Sequence, residues 1–300
     1  MPEIVKNCLL CSSDQNLHFD TRTFAGRIVE NRICQSCGFV FQSPRMTSDE
    51  AENFYTSEYR QLYQGSPGPN PKDLHMQELR AGLLASFAGR HIHQVSRHLD
   101  IGSSAGSLNQ SIHQKFDSQS VGVEPGQAYR EFASAAGFKV YASLQEMQSA
   151  GETKFDLVTM SHVLEHILDP LSYLVHLREQ ILTEDGCLLV EVPNLYFHDS
   201  FEVAHLSSFS IHTLRQLLRK AGFEMIAIHK HGLPRSMVIP YFLTVLCCPS
   251  KSGIGFRLKP ERFVALKRRF GLFERRVVSH FFPTLAWKPL TEEKGQEPLS

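Results

Sequence analysis

The chain has 300 residues, of which 42% are hydrophobic and 21% charged, and its 31 basic side chains balance 31 acidic ones. This length predicts one main domain with attachments, and the even charge argues against a nucleic-acid-binding surface along the whole chain. There is no run of about 18 apolar residues and no basic-then-apolar N-terminus, so we expect neither a membrane span nor a signal peptide and predict a cytoplasmic protein. In that compartment the seven cysteines should be reduced or metal-bound rather than paired.

Four cysteines near the N-terminus form two CxxC pairs, Cys8 with Cys11 and Cys34 with Cys37, separated by 22 residues. Two CxxC turns can direct four thiolates at one tetrahedral ion, which leaves no open position for chemistry. We therefore predict a structural Zn²⁺ in a small zinc ribbon over residues 1–46. The alternatives are two unrelated pairs or a redox pair. Five basic and four acidic residues in 1–45 provide no basic footprint for nucleic acid.

Residues 47–92 are predicted to form a helical connector or cap. Tyr55, Tyr59 and Tyr63 recur at a spacing of four, which places them on one face of a helix over 47–63. The Pro/Gly-rich segment 66–73 marks a linker. An amphipathic helix over 75–89 should follow.

Residues 93–250 alternate between strand-like and helical segments. The predicted strands are 95–102, 120–124, 139–142, 155–160, 187–192, 224–230 and 237–247. Asp169 and Ser210 precede helical patterns as N-caps, with Pro170 in the first turn of one helix and Gly222 at the end of the other. This alternation predicts an α/β, Rossmann-like fold with a seven-stranded, mostly parallel sheet covered by helices on both faces.

The segment RHLDIGSSAGSLNQ, residues 97–110, leads from a strand into a helix through a turn with few glycines. Gly102 and Gly106 have GxxxG spacing, unlike the GxGxxG of pyrophosphate-binding turns. Asp100 would repel a diphosphate but could hold an ammonium group through water, and Glu124, 22 residues after Gly102, suits the two hydroxyls of a ribose. A nucleoside that carries an amino acid instead of phosphates, S-adenosylmethionine, fits this combination.

Four segments in order, DIGSSAGSL, GVEPG, FDLVTMSHVLEHILDP and GCLLVEVPN, resemble the motif series of class I S-adenosylmethionine-dependent methyltransferases, over about residues 95–230. The resemblance implies that Asp100, Gly102, Ser103 and Gly106 line the methionine end of the donor. It also implies that Glu124 holds the ribose, that Pro125 borders the adenosine, and that Ser161 and His162 close over the methyl donor. Tyr59 would cap the donor or simply be buried. The alternative is a Rossmann-like domain that binds another nucleoside or no ligand at all.

The N-terminal cysteine segment resembles the ribbon found ahead of methyltransferases of bacterial sugar and surface-polysaccharide pathways, among them sugar C-methyltransferases. The string HLSSFS is similar to the segment in which those enzymes place a catalytic histidine, so His205 is the expected general base, unless it only orders its loop. Glu202 and Ala204 depart from that pattern, and the family's large C-terminal domain is missing. Glu165 and His166 are further catalytic candidates, with loop organisation as their alternative role.

Residues 251–300 form a predicted C-terminal extension, in which Lys251 to Lys288 include ten basic and two acidic residues. Its apolar residues repeat at spacings of three and four: Phe263, Leu266, Phe270, Phe273 and Val277. This pattern predicts a helix that lies on an anionic membrane surface, or holds a phosphorylated glycolipid or sugar-nucleotide, or packs on the sheet with a solvated basic face.

Together these features predict O- or C-methylation of a sugar, nucleotide-sugar or glycan precursor. The alternatives are an RNA methyltransferase that reads RNA through the ribbon, and a non-catalytic relative that binds only the cofactor. We expect a small-molecule acceptor and no nucleic-acid partner; the sequence does not determine the oligomeric state.

Overall fold

The computed structural model describes residues 2–66, 68–199, 201–250 and 257–289. Within these ranges the strands are β1 (Asn16–Phe24), β2 (Arg27–Cys34), β3 (Val40–Gln42), β4 (Arg97–Ile101), β5 (Gln119–Val123), β6 (Lys139–Tyr141), β7 (Phe155–Ser161), β8 (Leu182–Pro193), β9 (Ser207–Ser208), β10 (Phe223–His231) and β11 (Phe242–Pro249). Residues 251–256 and 290–300 of the predicted C-terminal extension lie outside the described residues.

The helices in the same ranges are α1 (Ser48–Asn53), α2 (Tyr59–Gln64), α3 (Pro71–Gly89), α4 (Ser107–Phe116), α5 (Gln127–Ala135), α6 (Leu144–Ser149), α7 (Pro170–His176), α8 (Ile211–Lys220), α9 (Val264–Phe281) and α10 (Pro283–Ala286). π-Helical turns at Phe54–Glu58 and Leu177–Ile181 follow α1 and α7, and a 3₁₀ turn covers Leu164–His166. The predicted caps are present, because Asp169 accepts from the Ser172 amide and Ser210 from the Thr213 amide.

The main sheet confirms the predicted α/β fold. Its seven strands have the order β10-β11-β8-β7-β4-β5-β6, and β11 runs antiparallel to both of its neighbours. The chain leaves β4 towards β5 and β6 on one side and returns to β7 and β8 on the other. The strand order therefore reverses between β4 and β7, where a crevice for a ligand opens beyond the carboxyl ends of parallel strands.

The N-terminal segment forms a second sheet of order β1-β2-β3-β9. A turn at Ala25 and Gly26, both with positive φ, joins β1 to β2. The fourth strand comes from far along the chain: Ser207 and Ser208 pair with Phe41 and Val40. The predicted ribbon is therefore continuous with the segment that follows His205, which the division at residue 46 did not anticipate.

Two elements differ from the sequence expectation. The last strand begins at Phe242 rather than Met237, because the Ser236 hydroxyl accepts from the Ile239 amide at 2.9 Å and folds 236–239 into a turn. The short helix α6 was not expected; Ser143 caps it by accepting from the Glu146 amide at 3.1 Å.

The expectation that every cysteine is reduced or metal-bound is wrong for one pair. Cys187 and Cys248 form a disulfide with their Cα atoms 4.3 Å apart. They lie on the adjacent antiparallel strands β8 and β11, which bring together residues 61 positions apart in the sequence. Cys247 is free and buried, as expected of a core residue. Among the described helices, none has the length and apolar character needed to cross a bilayer.

Candidate active site

A cavity of about 370 Å³ opens where the strand order reverses. Its lining includes residues from α2 and α3 as well as from the loops after β4, β5 and β7. Nine of the candidates singled out in the sequence line it: Tyr59, Asp100, Gly102, Ser103, Glu124, Pro125, Ser161, His162 and His166. Gly106, Glu165 and His205 are not part of this lining.

Glu124 lies at the tip of β5 with its carboxylate turned towards the loop after β4. Its Oε2 accepts from the Ser104 amide at 3.0 Å, and its Oε1 accepts from the Gly126 amide at 2.9 Å. The Arg60 guanidinium donates to Oε2 at 2.9 Å and stacks on Tyr129. The acidic strand tip and the glycine turn therefore meet at one place, as the sequence required. Arg60 was not anticipated, because no motif marks it.

Two glycines shape the turn in different ways. Gly102 has φ +75° and faces Val163, where an added Cβ would come within 2.5 Å of Cγ2. Gly106 also has positive φ, but an added Cβ there would meet Phe138 and Ala133, so Gly106 packs against α5 and its following turn instead of lining the cavity. Between them, the buried hydroxyls of Ser103 and Ser104 have no hydrogen-bond partner among the described residues. They are available to a ligand.

Asp100 is buried at the end of β4. The pKa of Asp100 is raised to about 7, mainly by burial and in smaller part by the nearby Glu124, while a hydrogen bond from the Thr159 hydroxyl at 2.6 Å opposes the rise. Thr159 is held in turn by His98, whose Nε2 lies 2.9 Å from Oγ1. A carboxylic acid poised near neutrality can take up a positive ligand group by releasing its proton.

Next to the cavity, several basic side chains surround the carboxylate of Glu191, a fully buried residue of β8. Arg80 and His162 lie 3.2 Å from Oε1, and His231 lies 3.2 Å from Oε2. Burial raises the pKa of Glu191, but the Arg80 charge and the hydrogen bonds from His162 and His231 outweigh burial and hold that pKa well below its usual value. The sequence reasoning missed Glu191 and Arg80, although a glutamate inside the apolar run CLLVEV was a usable signal.

His162 has φ +55° and bridges two carboxylates, with its Nδ1 3.3 Å from Glu165 and its Nε2 3.2 Å from Glu191. Burial and Arg80 lower the pKa of His162, but the two glutamates outweigh them and leave it raised. A raised pKa favours a cationic ring on the floor of the cavity.

A second histidine pair lies next to this bridge. His166 donates from Nδ1 to the Ala204 carbonyl at 2.8 Å, which leaves Nε2 unprotonated in the neutral ring. Burial lowers the pKa of His166 to about 4, with Glu165 opposing and His205 assisting. The His205 ring centroid lies 5.0 Å from that of His166. The structure therefore brings both predicted bases together, and His166 is the one that lines the cavity.

Glu165 lies next to His162, His166 and His205, and only 1% of its surface is exposed. Burial raises the pKa of Glu165, but His162, His166 and His205 outweigh burial and lower it to about 2. One ionised carboxylate therefore faces three imidazoles. Tyr59 covers the pair, its ring 5.8 Å from that of His166.

The four N-terminal cysteines converge as the sequence predicted. The sulfurs of Cys8 and Cys37, and those of Cys11 and Cys34, are each 3.5 Å apart, and all four lie within 4.8 Å of one another. A disulfide would require about 2.05 Å. Four thiolates about 2.3 Å from a tetrahedral ion are separated by about 3.8 Å, so the cluster has the dimensions of a metal site.

Residues 73–228 match a family described as a methyltransferase domain. The match covers more than half of the chain, so the chain belongs to this family. The predicted class, an S-adenosylmethionine-dependent methyltransferase of class I, is thereby confirmed. No curated protein matches the chain in sequence.

Solved structures with low sequence identity are similar to this chain. The Burkholderia thailandensis 1,6-didemethyltoxoflavin-N1-methyltransferase, solved with 1,6-didemethyltoxoflavin and S-adenosylhomocysteine, has 17% identity and a TM-score of 0.56, over 79% of this chain and 100% of that one. A Haloferax volcanii methyltransferase complex with the Trm112 activator has 12% identity and a TM-score of 0.50, over 61% and 95%. A SAM-dependent methyltransferase from Archaeoglobus fulgidus has 18% identity and a TM-score of 0.47, over 59% and 99%.

Proposed function

We propose that this enzyme transfers a methyl group from S-adenosylmethionine to a hydroxyl or acidic carbon of a sugar, nucleotide-sugar or glycan precursor, with a histidine as the general base. One observation carries the proposal: the carboxylate of Glu124, at the position suited to ribose hydroxyls, and the neutral imidazole of His166 line the same cavity. The cavity can thus hold a nucleoside donor at one end and remove a proton at the other.

The donor site follows from the residues of the loop. Glu124 would accept hydrogen bonds from the ribose hydroxyls, with Arg60 sharing or releasing the oxygen that it now contacts. Asp100 would take the ammonium group, and the unpartnered hydroxyls of Ser103 and Ser104 would meet the methionine end. S-Adenosylmethionine supplies a methyl group on a sulfonium, a good leaving group, so alignment alone can provide much of the acceleration.

The acceptor must lose a proton as the new bond to carbon forms. His166 would take it at Nε2, since Nδ1 is committed to the Ala204 carbonyl. Glu165 would stabilise the resulting imidazolium, and His205 would pass the proton on or orient the acceptor. A positioned base of this kind contributes about 10²–10⁴-fold to the rate. The S–CH₃ bond breaks with both electrons remaining on sulfur, which balances the charge.

The sugar-type acceptor is supported by the likeness of HLSSFS to the catalytic segment of sugar methyltransferases, and by the clustering of polar imidazoles at the acceptor end. The RNA alternative has less support, because the ribbon lacks a basic footprint. Binding to RNA that falls steeply with added salt would favour the alternative.

We also propose that the cysteine cluster binds Zn²⁺. Its four sulfurs have the donor type and spacing of a closed structural site, and in such a site the ion would hold Cys8 and Cys11 against the β2–β3 turn.

The proposal is tested in two stages. Isothermal titration with S-adenosylmethionine should show binding that weakens by about 10–100-fold in Glu124→Gln, the cost of a charged hydrogen-bond partner. Incubation with glycan precursors, followed by mass spectrometry, should then show a mass gain of one methylene that disappears in His166→Gln. Donor binding without turnover on any acceptor would support the non-catalytic alternative instead.

A further inference from the structure

The described part of the C-terminal extension carries a row of exposed apolar side chains. On α9 they are Leu266, Phe270, Phe273, Val277 and Phe281, which are 50%, 64%, 65%, 37% and 67% exposed. Their spacings of four, three, four and four place them on one face of the helix, the apolar face of α9. The apolar stripe seen in the sequence therefore does not pack on the sheet, contrary to one of the two expectations.

The opposite side of α9 fixes this orientation. The buried Arg268 donates to the backbone carbonyls of Leu195 and His198, and Arg275 donates to that of Phe197. At Gly271 the helix lies directly against the Tyr196 carbonyl, with no room for a Cβ. Because α9 is held by backbone contacts through its polar side, its phenylalanines face outward.

Neighbouring segments extend the apolar face. Phe282, Leu285 and Trp287 are 56%, 41% and 52% exposed, and Met237 and Val238 in the turn before β11 are 69% and 48% exposed. The Met237 amide donates to the Leu285 carbonyl at 3.1 Å, which joins the two segments. Scattered surface hydrophobics need no explanation, whereas a contiguous patch of this kind marks an interaction site.

Positive charge borders the apolar face. Residues 262–282 contain six basic side chains and one acidic side chain, although the whole chain is balanced. Arg269 and Arg276 are exposed, and each lies three residues after a member of the face, Leu266 and Phe273, so they flank it. A phenylalanine-rich face with arginines at its edge is the composition of helices that lie in the interface of an anionic membrane.

We propose that the apolar face of α9, with Trp287 and the 237–238 turn, binds an anionic lipid surface. In an antiparallel two-fold dimer through this face, the arginine edge of one copy would oppose that of the other, which disfavours such a second copy as the occupant. The α9 helix rests on the loop that carries His198 and leads to His205. Docking would therefore bring the acceptor side of the active site close to lipid. Only this last step, which implies a membrane-borne acceptor, rests on the proposed function.

Trp287 is the only tryptophan in the chain, so the protein carries its own reporter. The full chain is titrated with vesicles of phosphatidylcholine alone and of phosphatidylcholine mixed with phosphatidylglycerol. We expect a blue shift of the tryptophan emission and co-sedimentation with the mixed vesicles only. Phe270→Ser with Phe273→Ser, and Arg269→Glu with Arg276→Glu, should each weaken partitioning by more than about tenfold.

Matched controls are Phe132→Ser and Lys115→Glu, exposed residues on α5 and α4, which should bind like the wild type. Unchanged binding of S-adenosylmethionine shows that each variant is folded. Wild-type protein that ignores the mixed vesicles overturns the proposal, as does a dimer that the phenylalanine substitutions dissociate without any lipid binding. Vesicle binding by a protein that lacks transferase activity would support the surface and reject only the membrane-borne acceptor.

Discussion

The Gln42 amide donates to the Leu206 carbonyl at 2.9 Å, so a residue of the cysteine-bearing sheet holds the neighbour of His205. The next pairs, Phe41 with Ser207 and Val40 with Ser208, continue the same antiparallel contact. The ribbon is therefore more than an N-terminal attachment. Its strand β3 pairs directly with the segment that carries His205, a candidate base.

This contact predicts that loss of the cysteine cluster impairs turnover more than donor binding. In Cys34→Ser the β2–β3 turn loses one ligand of the proposed Zn²⁺, and displacement of His205 by about 1 Å can cost up to ~100-fold in rate. We expect kcat to fall while the Kd for S-adenosylmethionine is unchanged, with zinc content measured in the same samples. Ser36→Ala, an exposed change within the same turn, should match the wild type. An unaltered kcat in zinc-free Cys34→Ser would show that turnover does not depend on the cysteine cluster.

The sequence predicted the parts of the site that lie on local motifs. Gly102, Asp100 and Glu124 could be placed because strand tips in a parallel sheet converge on one edge, and the structure brings them together. Arg60 and Arg80 reach the cavity from α2 and α3, which precede the sheet, and no spacing rule relates those helices to the strand tips. The same limit explains the Cys187–Cys248 disulfide and the strand β9, since each depends on a pairing between distant segments.

Resemblance in sequence was not enough to decide between His166 and His205 as the general base. The string around His205 resembles a catalytic segment, but the 3₁₀ turn at Leu164–His166 is what places an imidazole in the cavity lining. Such a turn has no periodic pattern, so only the structure could show that His166, and not His205, lines the cavity.

Asp100 should make donor binding depend on pH. Its folded pKa is about 7, so below pH 7 the free enzyme holds a proton that an ammonium ligand must displace. Affinity for S-adenosylmethionine should therefore rise from about pH 6 to pH 7.5, by at most about tenfold per unit. Titration calorimetry across this range measures the slope, which should vanish in Asp100→Asn and persist in His162→Gln. An equal slope in Asp100→Asn would assign the proton to another group.

His98 should contribute to acid sensitivity of the fold. Burial lowers its pKa to about 3, and its ring bridges Ser120 and Thr159. Because the folded pKa is below the unfolded value of about 6.5, the unfolded chain binds the proton more readily, and stability is lost as pH falls below 6.5. From pH 7 to pH 5 this single residue should cost about 2 kcal/mol.

Urea denaturation of the wild type and of His98→Asn at pH 7 and pH 5 measures this difference. The variant should be less stable at pH 7, because it loses hydrogen bonds, yet lose about 2 kcal/mol less on acidification. His113→Asn, which removes an exposed histidine from α4, serves as the control for a general effect of the substitution. Identical pH slopes in all three proteins would mean that His98 is not neutral in the fold.

Substitution of Glu165 tests whether His166 and His205 act as the general base. The carboxylate is ionised, with a pKa of about 2, and its charge would stabilise the imidazolium that forms when His166 accepts a proton. Glu165→Gln keeps the shape but removes that charge, so we expect kcat to fall by about 10–100-fold with little change in the Kd for the donor. The acid limb of the kcat–pH profile should also shift downward, because a neutral neighbour no longer raises the pKa of His166. Glu202→Gln, near His205 at 3.9 Å, is the matched change on the other side of the pair and should have a smaller effect. If Glu165→Gln weakened donor binding and kcat equally, the carboxylate would serve to order the loop, and proton removal would belong to another group.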